Sequence, residues 1–281
     1  MKIRLVTDST SDIPSELVEK YQIEVEPALL VIEGKSYVDG VDITRKAFYE
    51  KMPSFIKPAT TAAPSAGSFI ARYEKLFREG AENIISIHAA SALSGIYNAA
   101  HLAAESFGKR IHVVDSGQLS LGLGFQVLEA AEAIARGAIW EEINTLIKSV
   151  QSRVKIIAVL DTLEYLHRSG RVSWTKARLG KFFNLKPLIG LANSKVENLG
   201  VVRTRGKAND WLKEMHHQMG AIERLAILHT NAEKRAREFL AEIPHDLLSP
   251  PPVLNVTTAI GAHLGPNGVG FAVCERANVV R

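Results

Sequence analysis

Short apolar runs at Ile3 to Val6, Ile84 to Ile87, Ile111 to Val114 and Ile156 to Leu160 punctuate the chain, and the stretches between them carry helical periodicity. The runs are mainly apolar rather than alternating at every second residue, with Arg4, Ser86 and His112 interrupting them, as expected of buried parallel strands. Between the runs, Phe69, Tyr73, Leu76 and Phe77 share one helical face, as do Leu93, Tyr97, Ala100, Ala104 and Phe107, and again Leu121, Phe125 and Leu128. Such stripes belong to helices packed on a sheet. Strand, helix, strand in repeated order through about residue 150 predicts a parallel sheet with right-handed crossovers.

After Val154 the pattern changes. Lys186 to Leu191 and Lys195 to Val202 read as two strands joined at Ala192-Asn193-Ser194, followed by a helix over 206–219, a strand over 224–229, a helix over 231–242 and strands near 252–256 and 269–273. The predicted fold is α/β: a parallel-sheet α/β N-terminal domain over 1–155 and an α+β C-terminal domain over 156–281, with a ligand between them. No Ser/Gly-rich or Pro-rich linker separates the halves, and Pro250-Pro251-Pro252 reads as a stiff loop before a late strand. The two domains are therefore expected to pack closely around a cleft.

Composition narrows the function classes. With 46% hydrophobic and 23% charged residues, wholesale disorder is excluded. The net charge of +4 is spread over separate groups (Lys176/Arg178/Lys181, Arg203/Arg205/Lys207, Lys234/Arg235/Arg237) and does not demand nucleic acid. The single cysteine, Cys274, excludes an internal disulfide and a cysteine-based zinc cluster, so a reducing cytoplasm is expected. The opening residues turn polar after Val6, the pattern of neither a signal peptide nor a membrane span.

Hydroxyl residues collect where early strands hand over to helices: Thr7-Asp8-Ser9-Thr10-Ser11, Thr60-Thr61 before Pro64-Ser65, Ser91 to Ser94-Gly95, and Asp115-Ser116. In an open parallel sheet these junctions lie at the carboxyl ends of the strands, where ligands bind and helix N-termini offer N–H donors. Hydroxyls plus backbone N–H groups suit one modest anion, a carboxylate or a monoester phosphate. Each hydroxyl is also a good helix N-cap in its own right. The chain has no G-x-x-x-x-G-K-[ST], no G-x-G-x-x-G after the first strand, no H-E-x-x-H and no G-x-S-x-G.

Other residues admit two readings. Ser94 is a conceivable nucleophile, with His88, His101 or His263 as base and Asp115 as orienter, in a small-molecule kinase subunit or hydrolase. His263 lies in the Gly-rich stretch 257–270, either at a ligand or bonded to a loop carbonyl. Arg171, after a short helix and a Gly turn ahead of an N-cap at Ser173, is either a surface charge or the counter-ion of the anion. His216-His217 reads as a solvated pair rather than a metal site.

Taken in order, several segments resemble the DegV family of bacterial fatty-acid-binding proteins. These are Thr7 to Pro14, Thr61-Ala62-Ala63-Pro64-Ser65, Leu93-Ser94-Gly95-Ile96-Tyr97, Val114-Asp115-Ser116 with Ser120 to Gly124, Leu163 to Ser173, Lys186-Pro187-Leu188 and Gly261 to Pro266. The resemblance runs from about residue 3 to the C-terminus. It implies one long-chain fatty acid held between the two domains, its carboxylate bonded by Thr61 and Ser94 with the Gly95 backbone nearby, and Arg171 and His263 behind the head group. It also implies a non-catalytic carrier without a cofactor, which presents the acid to a separate fatty acid kinase through a basic position at Arg203. The chain departs from the family pattern at Ala62, Ala90 and Ile96, where hydroxyl residues are usual.

Overall fold

A computed structural model describes residues 2–172, 185–192 and 194–277. Three of the four apolar runs form a parallel sheet, with strands in the order Glu24–Glu26, Ile3–Asp8, Asn83–His88, Ile111–Asp115; the fourth, Ile156 to Leu160, lies instead between two antiparallel neighbours in a second sheet. Strand geometry sends successive side chains to opposite faces. Ile84 and Val6 therefore enter one core with Phe69, Tyr73, Leu76, Ile96 and Ala100, under helices Ala66–Arg78 and Ile96–Ala104. Leu5, Ile85 and Ile87 enter the other, with Leu121, Leu123 and Val127 of helix Ser120–Ala135.

The second sheet is mixed, in the order Lys195–Val202, Lys186–Ala192, Val154–Val159, Val269–Glu275, Ile222–His229, Val253–Asn255. Its neighbours are antiparallel except for the last pair. Ile157, Leu225, Ile227, Phe271 and Val273 face helices Arg205–His217 and Glu233–Glu242. Val154, Ala226, Leu228, Ala272 and Cys274 join the core shared with Ser120–Ala135 and Trp140–Arg153. These two helices thus fill the layer between the sheets, which is why Ser120–Ala135 is buried nearly all round rather than along one stripe. Its close fit uses glycine: a Cβ on Gly124 would lie 2.6 Å from the Ser11 carbonyl oxygen. The expected division at 155/156 falls inside strand Val154–Val159.

The structure adds an element absent from the predicted pattern. Lys35–Val38, Leu29–Ile32 and Thr60–Ala62 form a small antiparallel sheet. Its hairpin turns at Glu33-Gly34, both at positive φ (51° and 82°), the geometry that matches strand twist. Of the helical face assigned to Leu93, Tyr97, Ala100, Ala104 and Phe107, the two alanines are buried and Phe107 packs on the same core, while helix Ile96–Ala104 adds Ile96 and Ala103 to it. Leu93 precedes the helix, and Tyr97 stacks on the exposed His101. The hairpin Lys186–Ala192/Lys195–Val202 forms as read, with Ala192 opposite Lys195; Asn193 in its turn lies outside the described residues, as does the expected N-cap Ser173.

Candidate functional site

Strand Thr60–Ala62 pairs Thr61 with Leu30, and this fixes the Thr61 hydroxyl at the edge of the small sheet. Helix Thr258–Leu264 brings His263 to it, with Oγ1 and Nε2 2.8 Å apart. Burial pulls the His263 imidazole down to about 4, and the Arg171 charge adds to the effect. The ring is therefore neutral at pH 7. When its proton sits on Nε2, His263 donates to Thr61, and the Thr61 hydroxyl proton is free to point at an anion.

Ser94 lies just before helix Ile96–Ala104, and its Oγ accepts from the Ile96 N–H at 3.3 Å. That leaves the hydroxyl proton available as well. Gly95 is the N-cap of the same helix, so the positive end of the helix dipole faces the same space. Helix Glu164–Ser169 ends at Gly170 (φ 69°), which turns the chain so that Arg171 follows with its Nη1 donating to the Ser169 carbonyl at 2.6 Å. Tyr165 of that helix lies where a Cβ on Gly265 would stand, so a glycine is required there for Arg171 and His263 to come together.

Two buried carboxylates that the sequence reading did not single out tie the His263 helix to the first half of the chain. Asp39 accepts from the hydroxyls of both Thr257 and Thr258. Asp12 accepts from the Thr257 N–H at 2.8 Å and the Ser120 hydroxyl at 2.6 Å, and pairs with Arg45 at 3.0 Å. Burial, outweighing Arg45, pushes Asp12 up to about 6. Arg45 also donates to the Asn255 carbonyl at 2.6 Å. The start of the His263 helix is thus anchored to residues of the first half of the chain.

Thr61, Ser94, Gly95, Arg171 and His263 all line one cavity of about 1260 Å³, mouth included. The rest of its wall is mainly apolar, with Leu119, Ile156, Leu191, Leu228, Val256 and Ile260 among the lining residues. Of the three family departures, Ala62 and Ile96 face this space, whereas Ala90 is buried outside its lining. Arg203 is exposed and does not line the cavity.

The other chemistry read from the sequence is dispersed. His88 is fully buried between Asp8 (Nδ1 to Oδ2, 3.0 Å) and Ser86 (Nε2 to Oγ, 2.6 Å), sealed away from the cavity. Asp115 accepts from the N–H groups of Ser91 and Gly117, so it shapes the loop before Ser94 rather than orienting a histidine. The His216-His217 pair is not jointly solvated. His217 is exposed, but His216 is buried edge-on against Phe271, neither ring nitrogen has a partner, and burial lowers its pKa. Among the described residues no cluster of three His, Cys, Asp or Glu is placed to hold a metal, and no helix is long and apolar enough to cross a membrane.

Fold and site together define a three-sheet α/β protein whose mainly apolar cavity carries Thr61, Ser94, Arg171 and His263 in its lining. The model of the family described as "Uncharacterised protein, DegV family" matches residues 2–276. A DegV domain-containing protein of Caldanaerobacter subterraneus subsp. tengcongensis is 36% identical over 98% of this chain and 99% of its own length. Two solved structures are similar throughout. A fatty-acid-binding DegV family protein from Thermus thermophilus has a TM-score of 0.87 and 30% identity over 98% of this chain and all of its own. DegV, a fatty acid binding protein from Bacillus subtilis, has a TM-score of 0.82 and 31% identity with the same coverage. The chain belongs to the DegV family.

Proposed function

We propose that this protein is a carrier that binds one long-chain fatty acid in the apolar cavity, its carboxylate held by Thr61, Ser94, the Gly95 N–H, Arg171 and His263. The observation that carries this reading is the Thr61–His263 pair in the wall of a mainly apolar space. Neutral His263 donates to Thr61, Thr61 and Ser94 donate to the carboxylate, and Arg171 supplies the charge. Donors fixed by a strand, a helix N-terminus and a helix end lose little entropy on binding. Burying roughly a dozen methylenes at about 0.8 kcal/mol each supplies the bulk of the affinity. The fatty-acid-binding relatives from Thermus thermophilus and Bacillus subtilis support the ligand class.

The division into two units near 155/156, with the ligand between them, is part of the same proposal. So is presentation of the acid to a separate fatty acid kinase, with exposed Arg203 docking on an acidic surface. Organic extraction of the purified protein followed by mass spectrometry tests the central claim. About one fatty acid per chain is expected, and an extract that stays empty after incubation with saturated and unsaturated acids overturns it. Arg203→Glu tests the docking: lipid binding is retained and acyl-phosphate formation with the kinase is lost.

A further inference from the structure

Besides the residues assigned to the carboxylate, the cavity wall carries four further polar side chains: Thr10, Ser120, His229 and Thr230. Two of them are already committed. The Thr10 hydroxyl donates to Asp8 and the Ser120 hydroxyl to Asp12, so neither has a proton to offer a ligand.

His229 and Thr230 differ. His229 ends strand Ile222–His229 and is 5% exposed. Its Nδ1 accepts from the Ala232 N–H at 3.1 Å, so the neutral ring carries its proton on Nε2. Burial pulls this imidazole down to about 4, which keeps it neutral. Among the described residues no hydrogen bond uses Nε2. Thr230 is clamped by the loop that follows the His263 helix. Its Oγ1 accepts from the Gly268 N–H at 2.6 Å, its N–H donates to the Gly268 carbonyl at 3.0 Å, and its carbonyl accepts from Asn267 at 2.6 Å. A Cβ on residue 268 would stand 2.9 Å from that hydroxyl, so the loop comes this close only with glycine. The Thr230 hydroxyl proton also has no acceptor among the described residues.

We propose that the His229 Nε2–H and the Thr230 hydroxyl form a second polar station in the cavity wall, which recognises an oxygen substituent carried along the hydrocarbon chain of a fatty acid. The ligand class is the hydroxy or oxo long-chain acid, its oxygen accepting from the imidazole and from the threonine. The inference rests on the carrier reading and refines it. A chain hydroxyl entering a wall without donors loses its hydration and binds more weakly than the plain acid. One that meets a fixed donor recovers that loss.

Dissociation constants for octadecanoic acid and for a series of hydroxyoctadecanoic acids, with the hydroxyl moved along the chain, test the proposal. At one hydroxyl position binding is expected to be about three- to tenfold tighter than for octadecanoic acid. His229→Asn keeps an acceptor for the Ala232 N–H but removes the Nε2 donor, and Thr230→Val removes the hydroxyl. Each variant should abolish that preference; His229→Asn should leave octadecanoic acid binding unchanged, whereas Thr230→Val also strips the Gly268 N–H of its acceptor, so its preference is compared with its own octadecanoic acid binding. If every hydroxy acid binds more weakly than octadecanoic acid, or the preference survives both variants, the station does not exist. If octadecanoic acid itself fails to bind the unaltered protein, the carrier reading fails instead.

Discussion

Thr61→Val replaces one branched side chain by another of the same shape, so strand Thr60–Ala62 and its pairing with Leu30 persist. What disappears is a single hydroxyl, 2.8 Å from His263 Nε2, which in the proposed function donates to the ligand carboxylate. A hydrogen bond to a charged group is worth about 1.5–3 kcal/mol, so the dissociation constant for a long-chain acid should rise roughly ten- to hundredfold. In the ligand-free protein the His263 Nε2, 2.8 Å from the lost oxygen, is left without its partner in a half-buried position. That costs about 1 kcal/mol and lowers the melting temperature by about 2–4 °C. Displacement of a fluorescent fatty acid measures the affinity and a thermal melt measures the stability. Thr61→Ser, which keeps the hydroxyl, should stay close to the parent in both. Thr61→Val binding within twofold of the parent refutes the assignment of this hydroxyl to the carboxylate.

Ser94→Ala should weaken binding about tenfold and cost up to about 1 kcal/mol of stability, because Oγ also accepts from the Ile96 N–H; calorimetric titration and a melt separate the two effects. Asp12 titrates near 6 in the fold against 3.8 unfolded, so the folded state binds its proton more tightly and the cost of ionisation is relieved as pH falls from 7 towards 4. The stability difference between the parent and Asp12→Asn, measured by urea unfolding, should therefore change by up to about 3 kcal/mol across that window. Asn tolerates the left-handed backbone at this position (φ 54°). A difference independent of pH would mean that Arg45 holds Asp12 charged throughout. Gly124→Ala should destabilise by about 1–3 kcal/mol although alanine favours helix, because its Cβ meets the Ser11 carbonyl at 2.6 Å; a melting temperature at or above the parent's contradicts this.

Doubly buried strands and amphipathic helices were legible because burial writes itself into local periodicity. Ile84 to Ile87 carries isoleucine on both faces because both are covered, and its one polar residue, Ser86, is buried and bonded to Tyr73 and His88. The small sheet was not legible: its strands span three or four residues, too few for a period to show, and its turn is Glu-Gly rather than the commoner Asn-Gly. Its one available signal was the apolar run Ala28 to Ile32 just before Gly34. The Asp12 and Asp39 clamp was hidden for another reason. Its partners Thr257 and Thr258 are more than 200 residues away, and no spacing rule links a carboxylate to a hydroxyl it meets only in space. His216 misled because a histidine beside an exposed neighbour reads as polar, whereas here it packs as an aromatic ring against Phe271.

The same separation in space bears on catalysis. Serine, histidine and aspartate do align in this protein, as Ser86, His88 and Asp8, but all three are fully buried and Tyr73 bonds Ser86 at 2.8 Å. A nucleophile needs a substrate within reach, and this line of residues joins neighbouring strands of the parallel sheet beneath its helices. At the cavity the arrangement is reversed. The Ser94 hydroxyl has access but bonds only the Ile96 N–H among the described residues, and His263 is engaged with Thr61. Activating Ser94 would require His263 to leave Thr61. In the proposed function, hydroxyls that donate to the anion and receive no base would hold a carboxylate without attacking it.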